Sequence, residues 1–326
     1  MKTKLLNILR NTEEYVSGQE LCHIFGVSRT AIWKCINQLK EEGYEFEAIQ
    51  NKGYKIKAYP DSITSWEVES RIIPSSLIKK VYSYDKVDST NQRAKRIAEE
   101  IDNSGILVIA ETQTGGKGRR GRQWESPSGT GIWMSIALKP DIEPFRANML
   151  TLVAGLAVCK GIAKSTNLES FIKWPNDIVI HGKKVCGILT EMTAESDYID
   201  YVVTGIGINV NIDEFPDEIR QVATSIKIEK GTAVSRAELV EHIIDEYEKY
   251  YKVFIKTSDM RLLMEEYNAH LINLNKEVKI LQGKNTFVAT ALGINHNGEL
   301  IVKGQDGKKQ AIVSGEVSVR GVYGYV

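Results

Sequence analysis

Apolar residues recur along this chain with two periods, and the switches between them divide it into parts. Leu5, Leu6, Ile8 and Leu9 form a stripe at helical spacing near the start. Ser17 is placed to cap a second helix over residues 18–25, and Gly26 follows where a tight turn needs a positive φ. Ser28 caps a third helix over 29–42, closed by Gly43. The period then falls to two. Residues 45–50 and 54–59 flank Asn51-Lys52-Gly53, which has the turn chemistry of a hairpin. Pro60, Asp61 and Ser62 open a linker over 61–80 that carries a further amphipathic stretch. Beyond Val81, strands are expected at 107–111, 132–138, 171–174, 178–180, 184–193 and 201–211. Helices at 91–101 and 147–164 alternate with them, and helical spacing returns at 236–255 and 260–271. The last stretch reads as strands at 278–281, 286–294, 300–303, 309–314 and 316–320, with turns at Gly283, Asn297-Gly298 and Asp306-Gly307. Short strands joined by hairpin signals predict a small barrel. The expected class is a multidomain α+β protein with units at 1–60, 81–272 and 273–326.

Residues 18–37 have the pattern of a helix-turn-helix. Leu21, Phe25, Val27, Ile32 and Cys35 take the apolar positions that pack two helices, and small Cys22 sits where they cross. Ser28, Arg29 and Thr30 begin the second helix, with Lys34 one turn on; these side chains can reach bases and phosphates from the major groove. The hairpin adds Lys52, Lys55 and Lys57, completing a winged helix-turn-helix. A small helical interaction domain that never meets DNA is the alternative, because residues 1–60 hold only nine Lys/Arg against seven Asp/Glu. Glu41, Glu42 and Glu45 would point away from DNA in the winged layout. So small a surplus implies weak binding by one copy and favours a dimer that presents two recognition helices to two half-sites.

Composition narrows the picture. The 326 residues are 42% hydrophobic and 26% charged, which excludes wholesale disorder. Lys+Arg and Asp+Glu both total 42, so no global field drives nucleic-acid or membrane binding. The longest apolar runs, such as 105–110, are far shorter than the roughly 18–20 residues of a membrane span. The apolar start is broken by Asn7 and Arg10, unlike a signal peptide, so a cytoplasmic protein is expected. Cys22, Cys35, Cys159 and Cys186 form no C-x-x-C pair. His23, His181, His242, His270 and His296 are scattered, so no protein-held metal is expected.

The densest chemistry is in 113–127, QTGGKGRRGRQWESP. Residues 115–122 are half glycine and half Lys or Arg, a loop whose backbone N–H groups and cations can close over phosphate or carboxylate. Gly116, Gly118 and Gly121 match G-x-G-x-x-G literally, but a strand follows where a dinucleotide fold needs a helix. No Lys-Ser or Lys-Thr closes the loop as in a Walker motif. A solvated loop binding nucleic acid is the bland alternative. Lys173-Trp174-Pro175-Asn176-Asp177 forms a second cluster at a turn between strands. Lys184 borders a half-apolar strand, where a buried cation needs an anion partner. Gly205 and Gly207 put two glycines in one strand, a sign of something packed against the backbone.

Five segments together resemble the bifunctional biotin protein ligases that also repress the biotin operon. They are Asp88-Ser89-Thr90-Asn91, Gln113 with the GKGRRGRxWxSP loop at 116–127, KWPND at 173–177, KVCGIL at 184–189 and GIGIN at 205–209. The resemblance spans essentially the whole chain. It implies that ATP and biotin form biotinyl-5′-AMP, whose mixed anhydride is attacked by a lysine of a biotin carboxyl carrier protein. Ser89, Thr90, Asn91 and Gln113 would bind the ureido head. Lys117, Gly118 and Arg119 would order over biotin and the adenylate, with Gly187 beside them. Lys184 and Arg119 would carry catalysis, Lys184 stabilising charge at the carboxylate and phosphate. Arg119, Arg122, Trp124, Asn176 and Asn209 would serve the nucleotide. Magnesium would arrive on ATP. The resemblance also implies an SH3-like C-terminal domain, and operator DNA bound by a homodimer when the adenylate is present, through Ser28, Arg29, Thr30, Lys34 and Lys52. The family often has arginine where Lys117 stands, and lysine lacks the planar fork, so backbone contacts matter more there.

Two other readings keep parts of this pattern. A transcription factor could use the loop only to sense a small anion, although KWPND and Lys184 argue for chemistry. A ligase for lipoate or a similar cofactor would share the central architecture but not the RRGRxWxSP loop or the winged helix.

Overall fold

Capping side chains set the first helices. The structure, a computed structural model, describes residues 1–72, 75–100, 104–194, 198–282, 285–314, 317–321 and 325–326. Helices α1 (Lys2–Arg10), α2 (Gly18–Phe25) and α3 (Arg29–Glu41) open the chain. The Ser17 hydroxyl accepts the Glu20 N–H and the Ser28 hydroxyl accepts that of Ala31, satisfying donors that a helix start leaves free. Gly26 ends α2 in the left-handed region at φ 63°, where a side chain would be strained. Leu5, Leu6, Leu9, Leu21, Ile32 and Cys35 are buried in one small core, with Ile8, Cys22, Phe25 and Val27 packed at its border. Strands β1 (Glu45–Ile49) and β2 (Gly53–Ala58) pair antiparallel, so three helices and a wing are present as expected.

Helix α4 (Ser65–Ile72) lies within the span expected to link the units. Its Glu67 has no solvent exposure. Arg10 Nη2 donates to both Glu67 oxygens at 2.8 and 2.9 Å, Tyr44 donates at 2.7 Å, and Arg71 Nε at 2.8 Å.

The central unit runs β3 (Lys80–Val87), α5 (Thr90–Glu100), β4 (Ile106–Gln113), β5 (Gly131–Leu138), α6 (Leu150–Thr166), β6 (Phe171–Lys173), β7 (Asp177–Ile180), β8 (Lys183–Ala194), β9 (Ile199–Asn209), α7 (Ile226–Lys230), α8 (Arg236–Ile255) and α9 (Met264–Ala269). The sheet order is β3-β4-β5-β9-β8-β7-β6, with β3 and β4 parallel and every other pair antiparallel: a mixed sheet. Helix α5 covers one face through Ala94, Ile97 and Ala98. Helices α6 and α8 cover the other, in a core that continues into the C-terminal strands through Val278, Ile280 and Ala291. The 23 residues Pro144–Thr166 are long and apolar enough to cross a bilayer, a property that uninterrupted apolar runs did not reveal. In this fold that helix is core, with Leu152, Val153, Leu156 and Ile162 buried.

Strands β10 (Glu277–Gln282), β11 (Asn285–Ile294), β12 (Leu300–Gly304), β13 (Lys309–Ile312) and β14 (Val317–Gly321) form one antiparallel sheet in the order β13-β12-β11-β10-β14. The ladder stops at β13 and β14 among the described residues, so what is seen is an antiparallel sheet. The turn expected at Gly283 lies outside the described residues, as do residues 101 and 316 at the expected ends of a helix and a strand.

Candidate active site

The first wall of the site is polar and buried. Helix α5 begins beside the end of β4, which brings Ser89, Thr90 and Asn91 to Gln113; all three are nearly sealed from solvent. Gln113 Oε1 accepts the Thr90 N–H at 2.8 Å and the Thr90 hydroxyl at 3.1 Å, while its Nε2 donates to Ser126 at 2.9 Å. The Ser135 hydroxyl lies 2.7 Å from both Thr90 Oγ1 and Asn91 Oδ1. Asn91 Nδ2 donates to the Leu189 carbonyl and, at 2.7 Å, to Glu191. Burial alone would raise the Glu191 carboxyl, but hydrogen bonds from Lys95 and Asn91 hold it below its usual range.

The floor is made by glycines. Across the β8–β9 ladder Gly187 pairs with Gly207 and Leu189 with Gly205. A Cβ on Gly205 would lie 2.1 Å from Asn91 Oδ1, and one on Gly207 would lie 2.8 Å from Trp124 Nε1. One on Gly187 would meet the Trp124 ring at 3.0 Å and Lys184 Nζ at 3.2 Å. The close packing that two strand glycines imply is therefore the indole of the basic loop and the amide of Asn91. Trp124 Nε1 is buried with no hydrogen-bond partner among the described residues, a donor available to a bound group.

Cations line the remaining side. The Lys184 ammonium lies 2.6 Å from Asp177 Oδ1 and 5.1 Å from the Trp124 ring centroid. Burial works to raise the Asp177 carboxyl, yet the charges of Lys184 and Lys173, with hydrogen bonds from Lys184 and Tyr325, hold it below its ordinary value. Arg119 Nη1 donates to Asn176 Oδ1 at 3.0 Å, and its other arm reaches the Ser314 carbonyl just beyond β13. Burial lowers the Arg119 guanidinium from its ordinary value.

One cleft thus gathers Ser89, Thr90, Asn91, Gln113, Lys117, Gly118, Arg119, Trp124, Asn176, Lys184 and Gly187. Past Arg119 and Asn176 a wider cleft continues between Phe145 and Met149 on one side and Gly298 and Val313 on the other. Two named residues lie off the cleft lining. Arg122 is exposed on the loop, its carbonyl accepting the Gly118 N–H. Asn209 is buried and donates to the Thr224 carbonyl; the neighbouring backbone, Val222 to Thr224, is bonded to that of Lys184. Reasoning from sequence passed over Ser126, Ser135, Glu191 and Tyr325. Ser135 had a signal, being the one polar residue in the run Gly131–Leu138. In the N-terminal unit Ser28, Arg29, Thr30 and Lys34 are exposed on α3 together with Trp33, and Lys52 is exposed at the tip of the wing.

Chemically, a buried polar pocket leads to a lysine and an arginine fixed by partners, which suits a ligand with a polar neutral head and a developing anion. The donor set suits phosphate rather than a bare metal, because the carboxylate at its centre, Asp177, is already engaged by Lys184 and Tyr325.

Family models match the chain in three places. Residues 84–209 match the biotin/lipoate A/B protein ligase family, 2–55 an HTH domain, and 274–320 the biotin protein ligase C terminal domain. The bifunctional ligase/repressor BirA of Bacillus subtilis is 40% identical over 301 residues, covering 91% of this chain and 92% of that protein. The protein of the same name from Escherichia coli is 28% identical, covering 97% of this chain and 96% of its own. Among solved structures, the biotin protein ligase from Aquifex aeolicus in complex with biotin and ATP superposes with a TM-score of 0.66 at 31% identity, covering 75% of this chain and 100% of that one.

Proposed function

This chain belongs to the family of bifunctional ligase/repressors, and from that premise we propose that it joins biotin to protein and represses genes for biotin supply. In the first reaction a biotin carboxylate oxygen attacks the α-phosphorus of ATP. The bond to the bridging oxygen breaks and pyrophosphate leaves. The resulting biotinyl-5′-AMP makes AMP a good leaving group. The ε-amine of a lysine on a biotin carboxyl carrier protein then attacks the carbonyl carbon, loses a proton and expels AMP.

Each wall of the cleft suits one part of this chemistry. The Thr90–Asn91–Gln113 array supplies donors and acceptors for a ureido ring. The glycine floor lets the Trp124 indole lie flat against β8 and β9, which gives the cleft an apolar surface for a ligand chain. Lys184, Arg119 and Lys117 stand where the carboxylate and α-phosphate would meet, and their charge opposes the negative charge that builds up in transfer. Held by Asp177 before substrate arrives, Lys184 need not reorganise during reaction. Magnesium brought on ATP would neutralise its phosphates. Arg122 and Asn209 serve the nucleotide side, with Asn209 also bracing the backbone beside Lys184. The observation that carries the reading is the convergence of this cation set, the buried polar wall and the glycine floor in one cleft.

The exposed face of α3 supports the second activity, with Ser28, Arg29, Thr30, Lys34 and Lys52 facing operator DNA. The adenylate acts as corepressor by favouring a homodimer that spans two half-sites, in the cytoplasm. For that, it must bind the dimer-competent state more tightly than the other.

Incubation with biotin, ATP and magnesium, followed by mass spectrometry, should yield biotinyl-5′-AMP and pyrophosphate. A carrier domain added next should gain biotin on one lysine. Biotin bound without product would overturn the enzymatic half and leave a sensor.

A further inference from the structure

The seat of Lys184 is completed by the end of the chain. Lys173 on β6 stands directly across the ladder from Asp177 on β7, while Lys184 approaches Asp177 from β8. Both ammonium charges therefore act on one carboxylate, with Lys184 in the ion pair. Lys173 is only 5% exposed, so it cannot satisfy its charge with water alone. Tyr325 stands between these demands. Its ring centroid lies 3.7 Å from the Lys173 ammonium, and its hydroxyl donates to Asp177 Oδ2. Val326 packs beside it against Gly182 in the β7–β8 turn, where a Cβ would lie 3.2 Å from the valine side chain. The tail is thus seated next to the strand that carries Lys184.

We propose that Tyr325 is a positioning residue for adenylate synthesis, which keeps Asp177 turned toward Lys184 by occupying its second oxygen and screening Lys173. The inference rests on the ligase reading above. A cation over an aromatic face is stabilised by it, so the ring weakens the pull of Lys173 on the carboxylate across the ladder. The hydroxyl fixes the rotation of the carboxylate, leaving Oδ1 for Lys184. Removing the hydroxyl frees that rotation, and removing the ring also exposes Asp177 to the full pull of Lys173. In both cases the Lys184 ammonium loses its fixed position above the cleft floor.

The test uses the full chain as wild type, Tyr325→Phe and Tyr325→Ala, with pyrophosphate release measured against biotin and MgATP. Tyr325→Phe should lower kcat by about tenfold, equivalent to about 1.4 kcal/mol in the barrier, with both KM values and the melting temperature nearly unchanged. Tyr325→Ala should lower kcat further. A Tyr325→Phe variant with wild-type kcat, or one that changes only KM, would overturn the proposal, as would losses that merely track the unfolded fraction.

A second readout needs no turnover. Limited acetylation of the protein without substrates, followed by peptide mass spectrometry, reports the reactivity of Lys184 relative to Lys183. An amine held in an ion pair is a poor nucleophile, so acetylation of Lys184 should rise several-fold in Tyr325→Phe; an unchanged ratio counts against the proposal. If wild type released no pyrophosphate, the ligase reading would fail, and the acetylation ratio would still decide whether Tyr325 holds the Asp177–Lys184 pair.

Discussion

Gly205 shows how little room the cleft leaves at the scale of one residue. An alanine there would bring its methyl within 2.1 Å of Asn91 Oδ1. Asn91 cannot simply swing aside, because Leu189, Glu191 and Ser135 hold its amide. Gly205→Ala should therefore weaken biotin binding by about tenfold, the upper end of what one neutral hydrogen bond contributes, measured by calorimetry. Unchanged affinity would mean that Asn91 does not shape the pocket. Lys184→Ala makes a different prediction. Asp177 would keep Lys173 and Tyr325, so the fold should hold while pyrophosphate release falls by about 100-fold or more, as when one transition-state donor is removed. Normal turnover would remove Lys184 from the reaction. Residues that recur in short motifs were legible at this scale, because a loop of glycine and arginine has few uses. Ser135 and Tyr325 were not. Ser135 sits in an apolar strand whose partner helix is unknown from sequence, and Tyr325 meets Asp177 from 148 residues away.

At the scale of elements, what was legible depended on how strongly one face of each element is buried. Helices α2, α3 and α8 carry a serine cap and an apolar stripe, and their starts were readable to the residue. Strand β3 escaped notice because it lies at a sheet edge, where Val81 is its only buried residue and Lys and Asp interrupt any alternation. Attachments between elements depend on side chains that no periodicity shows, and Glu248 on α8 is one. It accepts the N–H groups of Ser76 and Leu77 at 3.1 and 3.3 Å, the Ser75 hydroxyl and the Lys252 ammonium. Burial alone would raise this carboxyl, but those hydrogen bonds bring it down to about 2. Its folded value lies below the ordinary value of 4.5, so its contribution to stability is full above that pH and drains away as pH falls toward 2. Chemical denaturation across that window should show wild type losing stability more steeply than Glu248→Gln. Equal slopes would show that the contact contributes nothing net.

The whole molecule is tied together by buried ions at the joint between the winged helix and the catalytic body. Pro60-Asp61-Ser62 reads as a break in the chain, and nothing in those residues discloses that Asp61 binds Arg236, 175 positions on. Arg236 is 2% exposed and also grips Glu111, whose carboxylate accepts the Gly129 N–H just beyond the basic loop. Glu67 makes the parallel tie, joining Arg10 and Tyr44 of the N-terminal unit to Arg71, whose other arm reaches Glu241 of α8. Deleting residues 1–60 should abolish operator binding and leave adenylate synthesis measurable, since no cleft residue is removed. It should also lower the melting temperature, because Trp66 on α4 packs against the N-terminal core and would be exposed. Operator affinity of the full chain should rise when biotin and ATP are supplied together, and by linkage operator DNA should tighten adenylate binding by the same factor. Equal operator affinity with and without the two substrates would separate the repressor from the enzyme. A truncation that folds but makes no adenylate would show instead that the winged helix is part of the catalytic machinery.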